Sequence, residues 1–354
     1  MPCKVENEIR SGQFGLPFPK NRNMKSLLAI CLATLYGFLM RLFFGFADGF
    51  FEVMSIAFIF LVPLGIGALT IRFSEQKRIK SRAYAFFAPW LSSLVLLLLT
   101  IAVAIEGMIC WVMAYPVFAI VASIGGLITR SFLLRQQRQL EEEIDEKSLD
   151  GGKDFRNNGN LQVSLLLLLP LFVALVERTI EFRPQEFEAK NFIDIQAVDT
   201  TIWANVTRVR DISAVEDRSG INRWLGMPRP IRAELDTLAV GGYRKAIFER
   251  GLVFHETVTG YEPLHHMTFS IEANPEEIPP TAMDEHVVVG GEYFDVLEGR
   301  YELEALENGT YRLHLSSRFV VKTSFNFYAG WWARWIMSDI QENILQVIKR
   351  RSES

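Results

Sequence analysis

The chain has 354 residues, of which 49% are hydrophobic and 22% charged, and this length suggests about two domains. The net charge of −4 leaves no basic surface typical of nucleic-acid binding, so we expect no nucleic-acid partner. The cysteines Cys3, Cys31 and Cys110 lack CxxC spacing and predict no disulfide framework. We expect no metal and no cofactor.

Long apolar runs dominate the first half of the chain. They cover residues 26–46, 51–71, 86–105, 108–129 and 161–176. A helix that crosses the hydrocarbon layer needs about 20 apolar residues, with a lower limit of about 17. The first four runs meet this length, whereas the fifth is marginal but uncharged, so a buried core helix is its alternative. We therefore predict an α-helical transmembrane bundle, with a segment at 1–25, four spans within 26–129 and a fifth at 161–177.

Basic residues predict the orientation of these spans. Lysine and arginine are frequent after the second run, at 72–82, and after the fourth, at 130–138, but absent from the short turns around Asp48 and Glu106. Because cytoplasmic loops carry the excess of such residues, we expect a cytoplasmic N-terminus. The connector at 130–160, a charged helix followed by a glycine- and asparagine-rich linker, is then cytoplasmic as well. Five crossings place the rest of the chain outside; four would leave it in the cytoplasm.

The composition changes near Glu177, after which the chain has short alternating segments and all five histidines. A strand at 192–197 is followed by a helix starting near Asp199 and a short helical or irregular stretch up to Trp224. Further strands are predicted at 231–238, 243–249, 252–259, 266–272, 286–289, 301–305 and 311–321. Arg250-Gly251 and Asn308-Gly309 indicate hairpin turns. An amphipathic helix at 329–350 closes the chain.

One strand, two short helices, a curved antiparallel sheet and a long terminal helix make an α+β helix-grip arrangement. Its marker residues are Ile202-Trp203, LGMPRP at 225–230, GGYR at 241–244, GRYEL at 299–303 and ILQVIKR at 344–350. On these residues, 191–351 resembles the START-related (SRPBCC) superfamily, in particular its bacterial polyketide cyclase/dehydrase and lipid-transport branch. The membrane half takes no part in this resemblance.

The resemblance implies a hydrophobic cavity between the sheet and the terminal helix. Members of this superfamily bind lipids, sterols, polyketides or other hydrophobic small molecules, and some catalyse cyclisation or dehydration inside the cavity. Because the branch is bacterial, we expect the chain to lie in a bacterial plasma membrane.

Arg244 and Glu256 fall on the two strands of the hairpin that turns at Arg250-Gly251. Pairing Glu249 with Leu252 places Lys245 opposite Glu256, with Arg244 one step away. The plainer interpretation is a cross-strand ion pair on the surface. Alternatively, an inward-facing pair orients a polar group of a ligand in an apolar pocket.

Seven residues are candidates for lining the cavity. They are Arg244, Phe248, Glu256, His266, Tyr301, His314 and Trp332. His255 has the opposite parity to Glu256, so these two cannot both face the cavity. The histidines have no carboxylate at useful spacing, so no catalytic residue is assigned. Trp331 and Trp335 either pack in the core or enter a membrane interface.

We expect a membrane-anchored binding module that holds a lipid or other hydrophobic small molecule. One alternative is a cyclase- or dehydratase-like enzyme that uses Glu256 or a histidine as a base in the same cavity. The other is a sensor or assembly domain whose interior is filled by its own aromatic side chains.

Overall fold

The computed structural model describes residues 22–46, 55–147, 159–213, 215–217, 220–279 and 287–354. The chain forms two compact units. One comprises residues 1–48, 57–99 and 115–173, and the other comprises residues 49–56, 100–114 and 174–354. We call them the helical unit and the C-terminal unit.

The regular secondary structure in the described residues of the first half of the chain is helical. Its helices are α1 (Arg22–Phe46), α2 (Val62–Arg72, continuing a π-helical turn at Ala57–Leu61), α3 (Gln76–Ile79), α4 (Arg82–Ala102), α5 (Met108–Lys147) and α6 (Gly159–Glu177). Three described segments are long and apolar enough to cross a membrane: Met24–Gly45, Arg82–Ala102 and Met108–Gln139. The apolar helices Ala57–Arg72 and Leu167–Glu177 are shorter, so the count of five spans stays a prediction.

Side-chain hydroxyl groups form hydrogen bonds between helices of the helical unit. The Thr70 hydroxyl lies 2.8 Å from that of Ser92, and Thr34 donates to the Ser92 carbonyl at 3.2 Å. Large apolar side chains such as Leu98 and Ile120 are exposed on the outside of the unit. An apolar exterior with polar groups turned inward is the pattern expected of helices that pack in lipid.

Helix α5 differs from the prediction in length. The apolar run at 108–129 and the charged segment after it form a single helix of 40 residues. No proline or glycine follows Gly126 before Lys147, so nothing in the sequence ends the helix at the predicted boundary. The predicted linker after Lys147 lies mostly outside the described residues.

A seven-stranded antiparallel sheet forms the centre of the C-terminal unit. Its strands are β1 (Gln185–Ile195), β2 (Pro230–Leu235), β3 (Tyr243–Phe248), β4 (Val253–Glu262), β5 (His266–Glu272), β6 (Phe294–Ala305) and β7 (Tyr311–Val321). They lie in the order β1-β7-β6-β5-β4-β3-β2. The first strand therefore pairs with the last, while all other neighbours are consecutive in sequence. This order confirms the predicted helix-grip architecture.

Three α-helices lie in the same part of the chain as the sheet: α7 (Asp199–Thr207), α8 (Ile221–Leu225) and α9 (Asn326–Glu353). The strand predicted at 286–289 is not formed in its described part, where Val289 makes an isolated bridge to Phe294; His286 lies outside the described residues. Strand β6 starts at Phe294 rather than at Tyr301, and β1 starts at Gln185 rather than near Phe192.

Helix α9 packs along one face of the sheet, which we call the inner side; the opposite face is the outer side. Leu345 and Ile348 of α9 lie in one apolar cluster with Met267, Leu313 and Leu315 of the sheet. A second cluster around Phe319, Val296 and Leu252 lies further along the sheet. Burying such side chains contributes about 1.5–3 kcal/mol each, which makes the inner side the core of this unit.

Candidate functional site

The hairpin of β3 and β4 places Arg244 directly opposite Glu256. The register differs by one residue from the prediction, which had Lys245 at that position. Its cause is a three-residue turn, in which Phe248 rather than Glu249 pairs with Leu252 (N–H to carbonyl, 2.8 Å). Arg250 and Gly251 both have left-handed backbone angles, with φ of 58° and 82°, and together they reverse the chain.

Arg244 and Glu256 form an ion pair inside the protein. The guanidinium Nη1 of Arg244 donates to Glu256 Oε2, and each residue keeps only 4% of its surface exposed. The pair therefore faces the interior of the C-terminal unit, and the prediction of a surface ion pair is wrong. Buried charges of this kind are costly unless they are paired and hydrogen-bonded.

Apolar and aromatic side chains surround the pair. Arg244 stacks over the Phe269 ring, with its guanidinium carbon 5.0 Å from the ring centroid. The Phe269 ring in turn lies 6.1 Å from that of Tyr301. Gly299 makes this arrangement possible, because a Cβ at that position would lie 2.5 Å from the Phe269 ring. A glycine inside a strand often marks such a close approach.

Tyr301 extends the polar group by one hydroxyl. It is buried and within hydrogen-bonding reach of the Arg244 guanidinium. Burial raises the pKa of the Tyr301 hydroxyl above its usual value. Burial alone would lower the pKa of Arg244, but Glu256 and Tyr301 together more than offset this and the pKa is raised. The site therefore keeps a permanent positive charge beside a neutral phenol.

Burial also acts on the carboxyl group of the pair. It raises the pKa of Glu256, and the neighbouring Arg244 works in the opposite direction. The carboxylate oxygen that faces Arg244 is occupied by the guanidinium, so it is not a free base.

One donor of this group has no acceptor. Arg244 Nε is buried and has no hydrogen-bond partner among the described residues. Leaving a buried donor unsatisfied costs about 1–3 kcal/mol, and such a group in a native structure calls for an explanation. An oxygen atom of a bound molecule is the kind of partner that this donor lacks.

Two other candidates lie on the inner side but away from the ion pair. Phe248 packs edge-on against Phe254, with ring centroids 5.0 Å apart. Trp332 is buried on α9, and its described ring contacts are with Tyr328, Trp331 and Trp335 of the same helix. The structure therefore brings Arg244, Glu256 and Tyr301 together, with Phe248 and Trp332 further out on the same side.

His266 and His314 lie on the outer side, contrary to the prediction that they line the cavity. His266 is next to the exposed Glu262 (Nδ1 to Oε2, 3.4 Å), and His314 is next to Glu304 (Nε2 to Oε2, 3.2 Å). The residue that follows each histidine in its strand, Met267 or Leu315, is buried. Since successive side chains point to opposite faces, neither imidazole faces the interior.

The other described histidines are also outside the core. His255 lies beside Tyr243 (Nδ1 to hydroxyl, 2.5 Å) on a partly exposed face, as its parity predicts, and His265 is exposed in the turn after β4. In the described parts of the chain, no three His, Cys, Asp or Glu side chains are placed to hold a metal ion.

A second polar group fixes α9 to the sheet and was not predicted. Gln341 donates from Nε2 to the Ala189 carbonyl (3.2 Å) and to Ser317 Oγ (2.9 Å). Asn191 donates to Gln341 Oε1 at 2.8 Å. These bonds satisfy the buried amide, in contrast to Arg244 Nε. The only signal in the sequence is a glutamine on the apolar face of the helix.

Comparison with known proteins gives structural matches only. No protein-family model matches the sequence, and no curated protein matches it significantly. Solved structures similar to this chain include START-superfamily and cyclase proteins, the groups that the sequence resembles, and each covers about half of the chain.

Three of these structures illustrate the range. A structural-genomics target from Nitrosospira multiformis is 15% identical and covers 48% of this chain and 97% of its own, with a TM-score of 0.31. The di-domain ARO/CYC BexL from the BE-7585A biosynthetic pathway is 16% identical and covers 55% and 58%, with a TM-score of 0.31. A START superfamily protein from Mycobacterium smegmatis is 14% identical and covers 47% and 97%, with a TM-score of 0.30.

Proposed function

We propose that the C-terminal unit binds a lipid or other hydrophobic small molecule between the sheet and α9, and that the helical unit anchors it in a membrane. The unpartnered Nε of Arg244 is the observation that carries this proposal. Apolar side chains hold the body of the molecule, and a hydroxyl, carbonyl or acid oxygen at one end accepts a hydrogen bond from Arg244.

The chemistry of the inner side supports this division of roles. Met267, Phe269 and Leu315 supply apolar surface, whose burial contributes about 25 cal/mol per Å² and does not depend on direction. The charge-assisted hydrogen bond from Arg244 is directional and fixes the orientation of the molecule. Ligand pockets typically combine many apolar side chains with a few such polar groups.

Membrane anchorage is the second part of the proposal. It is supported by three described helices with the length and composition of membrane spans.

We place the C-terminal unit outside the cytoplasm, because the basic residues at 72–82 and 130–138 lie in the two segments that five crossings assign to the cytoplasm. A reporter that is active on only one side of the membrane, fused after Ser354, measures this directly. Activity of a cytoplasmic reporter would contradict the placement.

Mass spectrometry of co-purifying molecules tests the binding proposal. The full chain is purified in detergent beside the double variant Arg244→Met/Glu256→Leu, which removes both buried charges together. Both proteins retain the same spans and hence the same annular lipid, so the double variant serves as the background.

We expect an amphiphilic molecule that is at least tenfold enriched with the natural sequence. The double variant Arg300→Met/Glu302→Leu, on the outer side of the sheet, controls for the change in composition. We expect it to retain the molecule. Equal recovery from all three proteins would contradict the proposal and favour an interior filled by its own side chains.

A further inference from the structure

A stripe of exposed aromatic side chains runs along the first turns of α9. Phe327, Trp331 and Trp335 are spaced four residues apart, so they share one helix face. They keep 76%, 53% and 41% of their surface exposed. Their rings are in contact through Tyr328, which stacks on Trp331 at 6.4 Å, and Trp331 stacks on Trp335 at 6.2 Å. We call these four residues the aromatic stripe.

The aromatic stripe lies beside the start of a candidate membrane span. The Tyr328 hydroxyl donates to the carbonyl of Met113 at 2.6 Å. Met113 belongs to the first turns of α5, and these turns are part of the C-terminal unit. The apolar span of α5 begins at Met108, so the aromatic rings are next to the point at which the chain enters the apolar region.

Apolar packing fixes this position as well. Ile109 and Cys110 of α5 form a buried cluster with Leu225 and with Ile336 of α9. Ile336 follows Trp335 directly, so the end of α9 that carries the stripe is held against the first turn of α5. Trp224, which precedes Leu225, adds a further exposed indole at 82%. Trp224 and Trp335 therefore each directly precede a member of this buried cluster.

We propose that the aromatic stripe docks in the interfacial layer of the bilayer, so that the end of α9 that carries the stripe lies against lipid. Tryptophan and tyrosine concentrate at the boundary between headgroups and acyl chains, and a helix face of this kind enters that layer by about 5–10 Å. Large contiguous apolar patches that remain exposed mark interaction sites. Because the stripe adjoins a candidate membrane span, we infer that it binds the lipid surface rather than a second copy of the chain. This inference rests on the proposed membrane anchorage and adds to it a direct path for a lipid between bilayer and protein.

Spin labels measure the depth of individual residues in the bilayer. The full chain, with Cys3, Cys31 and Cys110 replaced by alanine, receives a single cysteine by Phe327→Cys or Trp331→Cys and is reconstituted into vesicles of phosphatidylcholine and phosphatidylglycerol. Collision with oxygen, which is soluble in lipid, is compared with collision with a water-soluble nickel chelate. Leu98→Cys, exposed on α4 within a candidate span, reports the lipid environment. Val198→Cys is the aqueous reference. Val198 is exposed and directly precedes α7. Helix α7 is hydrogen-bonded to Ser352, which lies about 40 Å along α9 from the aromatic stripe.

We expect labels at 327 and 331 to collide preferentially with oxygen, as at 98, and the label at 198 to collide preferentially with nickel. Nickel-accessible labels at 327 and 331, with an oxygen-accessible label at 98, would overturn the docking and leave the anchorage intact. Labels shielded from both reagents would also overturn it, because they would indicate a contact with another protein copy. A nickel-accessible label at 98 would instead contradict the anchorage on which the inference rests.

Discussion

The two sides of the sheet carry the same kinds of charged residue in opposite settings. On the inner side, Arg244 and Glu256 are shielded from water by aromatic rings. On the outer side, Arg300 and Glu302 form an ion pair 3.0 Å apart with nearly half of each side chain exposed. Water and salt screen the outer pair, so such pairs contribute about 0–1 kcal/mol. The comparison teaches that strand parity, rather than residue type, decides which charges can serve a binding site.

The largest expected effect is that of removing one member of the inner pair. Glu256→Leu leaves Arg244 buried without its counter-charge, and arginine cannot lose its proton at any pH at which the protein folds. We expect the free energy of unfolding of the C-terminal unit to fall by about 3–5 kcal/mol, as measured by pulse proteolysis in detergent. The matched change on the outer side, Glu302→Leu, should cost no more than about 1 kcal/mol. Equal losses from the two changes would break the comparison.

Removing both members of the inner pair separates stability from binding. In Arg244→Met/Glu256→Leu, apolar groups of similar volume replace two desolvated charges. Such exchanges are neutral or stabilising by about 1–4 kcal/mol. We expect the double variant to be at least as resistant to proteolysis as the natural sequence while it loses the bound molecule. If it unfolded as readily as Glu256→Leu, the pair would be a structural element of the fold.

Gln341 tests whether satisfied polar groups on the inner side serve packing. Gln341→Leu leaves Asn191 without one acceptor and Ser317 without one donor in a buried position. We expect a loss of about 1–3 kcal/mol in the free energy of unfolding. Recovery of the bound molecule from the folded fraction should be unchanged, because the hydrogen bonds described for the amide are to Asn191, Ala189 and Ser317 and not to Arg244. A selective loss of the molecule would extend the site to α9.

The smallest effect concerns a partly exposed carboxyl group outside the sheet. The hydrogen bond from Arg351, followed by the N–H of Ser213, lowers the pKa of Glu216 to about 2. Since this pKa is lower in the folded chain, the contact contributes stability above the usual carboxyl pKa of about 4.5, and this contribution is lost as the pH falls towards 2. Glu216→Gln should remove that part of the acid sensitivity, seen in melting temperatures between pH 6 and pH 3. An unchanged pH profile would contradict the role of this pair.

Much of the fold could be predicted because its signals are local. Strands β5 and β7 have the predicted bounds, since alternating apolar residues and clear turn residues define them. The position of His314 was also available from the sequence, because it lies between Leu313 and Leu315, which are both buried. Strand parity therefore places His314 on the outer side, and the prediction that it lines the cavity is wrong.

The inner position of Arg244 could not be predicted with the same means. Strand β3 carries charges at both parities, Arg244 and Lys245, so alternation does not say which one is buried. The register depended on two consecutive left-handed residues, Arg250 and Gly251, and arginine seldom adopts that conformation. Phe269, which stacks on Arg244, lies 25 positions along the chain, and only the folded sheet shows that they meet.

Photo-crosslinking locates the bound molecule most directly. The full chain in vesicles is incubated with a fatty acid that carries a diazirine near its carboxyl group, and the modified peptides are identified by mass spectrometry after irradiation. We predict labelling of β5 and β6 peptides that contain Phe269 and Tyr301, in addition to the candidate spans, and loss of the sheet labels in Arg244→Met/Glu256→Leu. Labelling confined to the spans, or sheet labels that persist in the double variant, would contradict the claim that Arg244 orients a hydrophobic molecule inside the C-terminal unit.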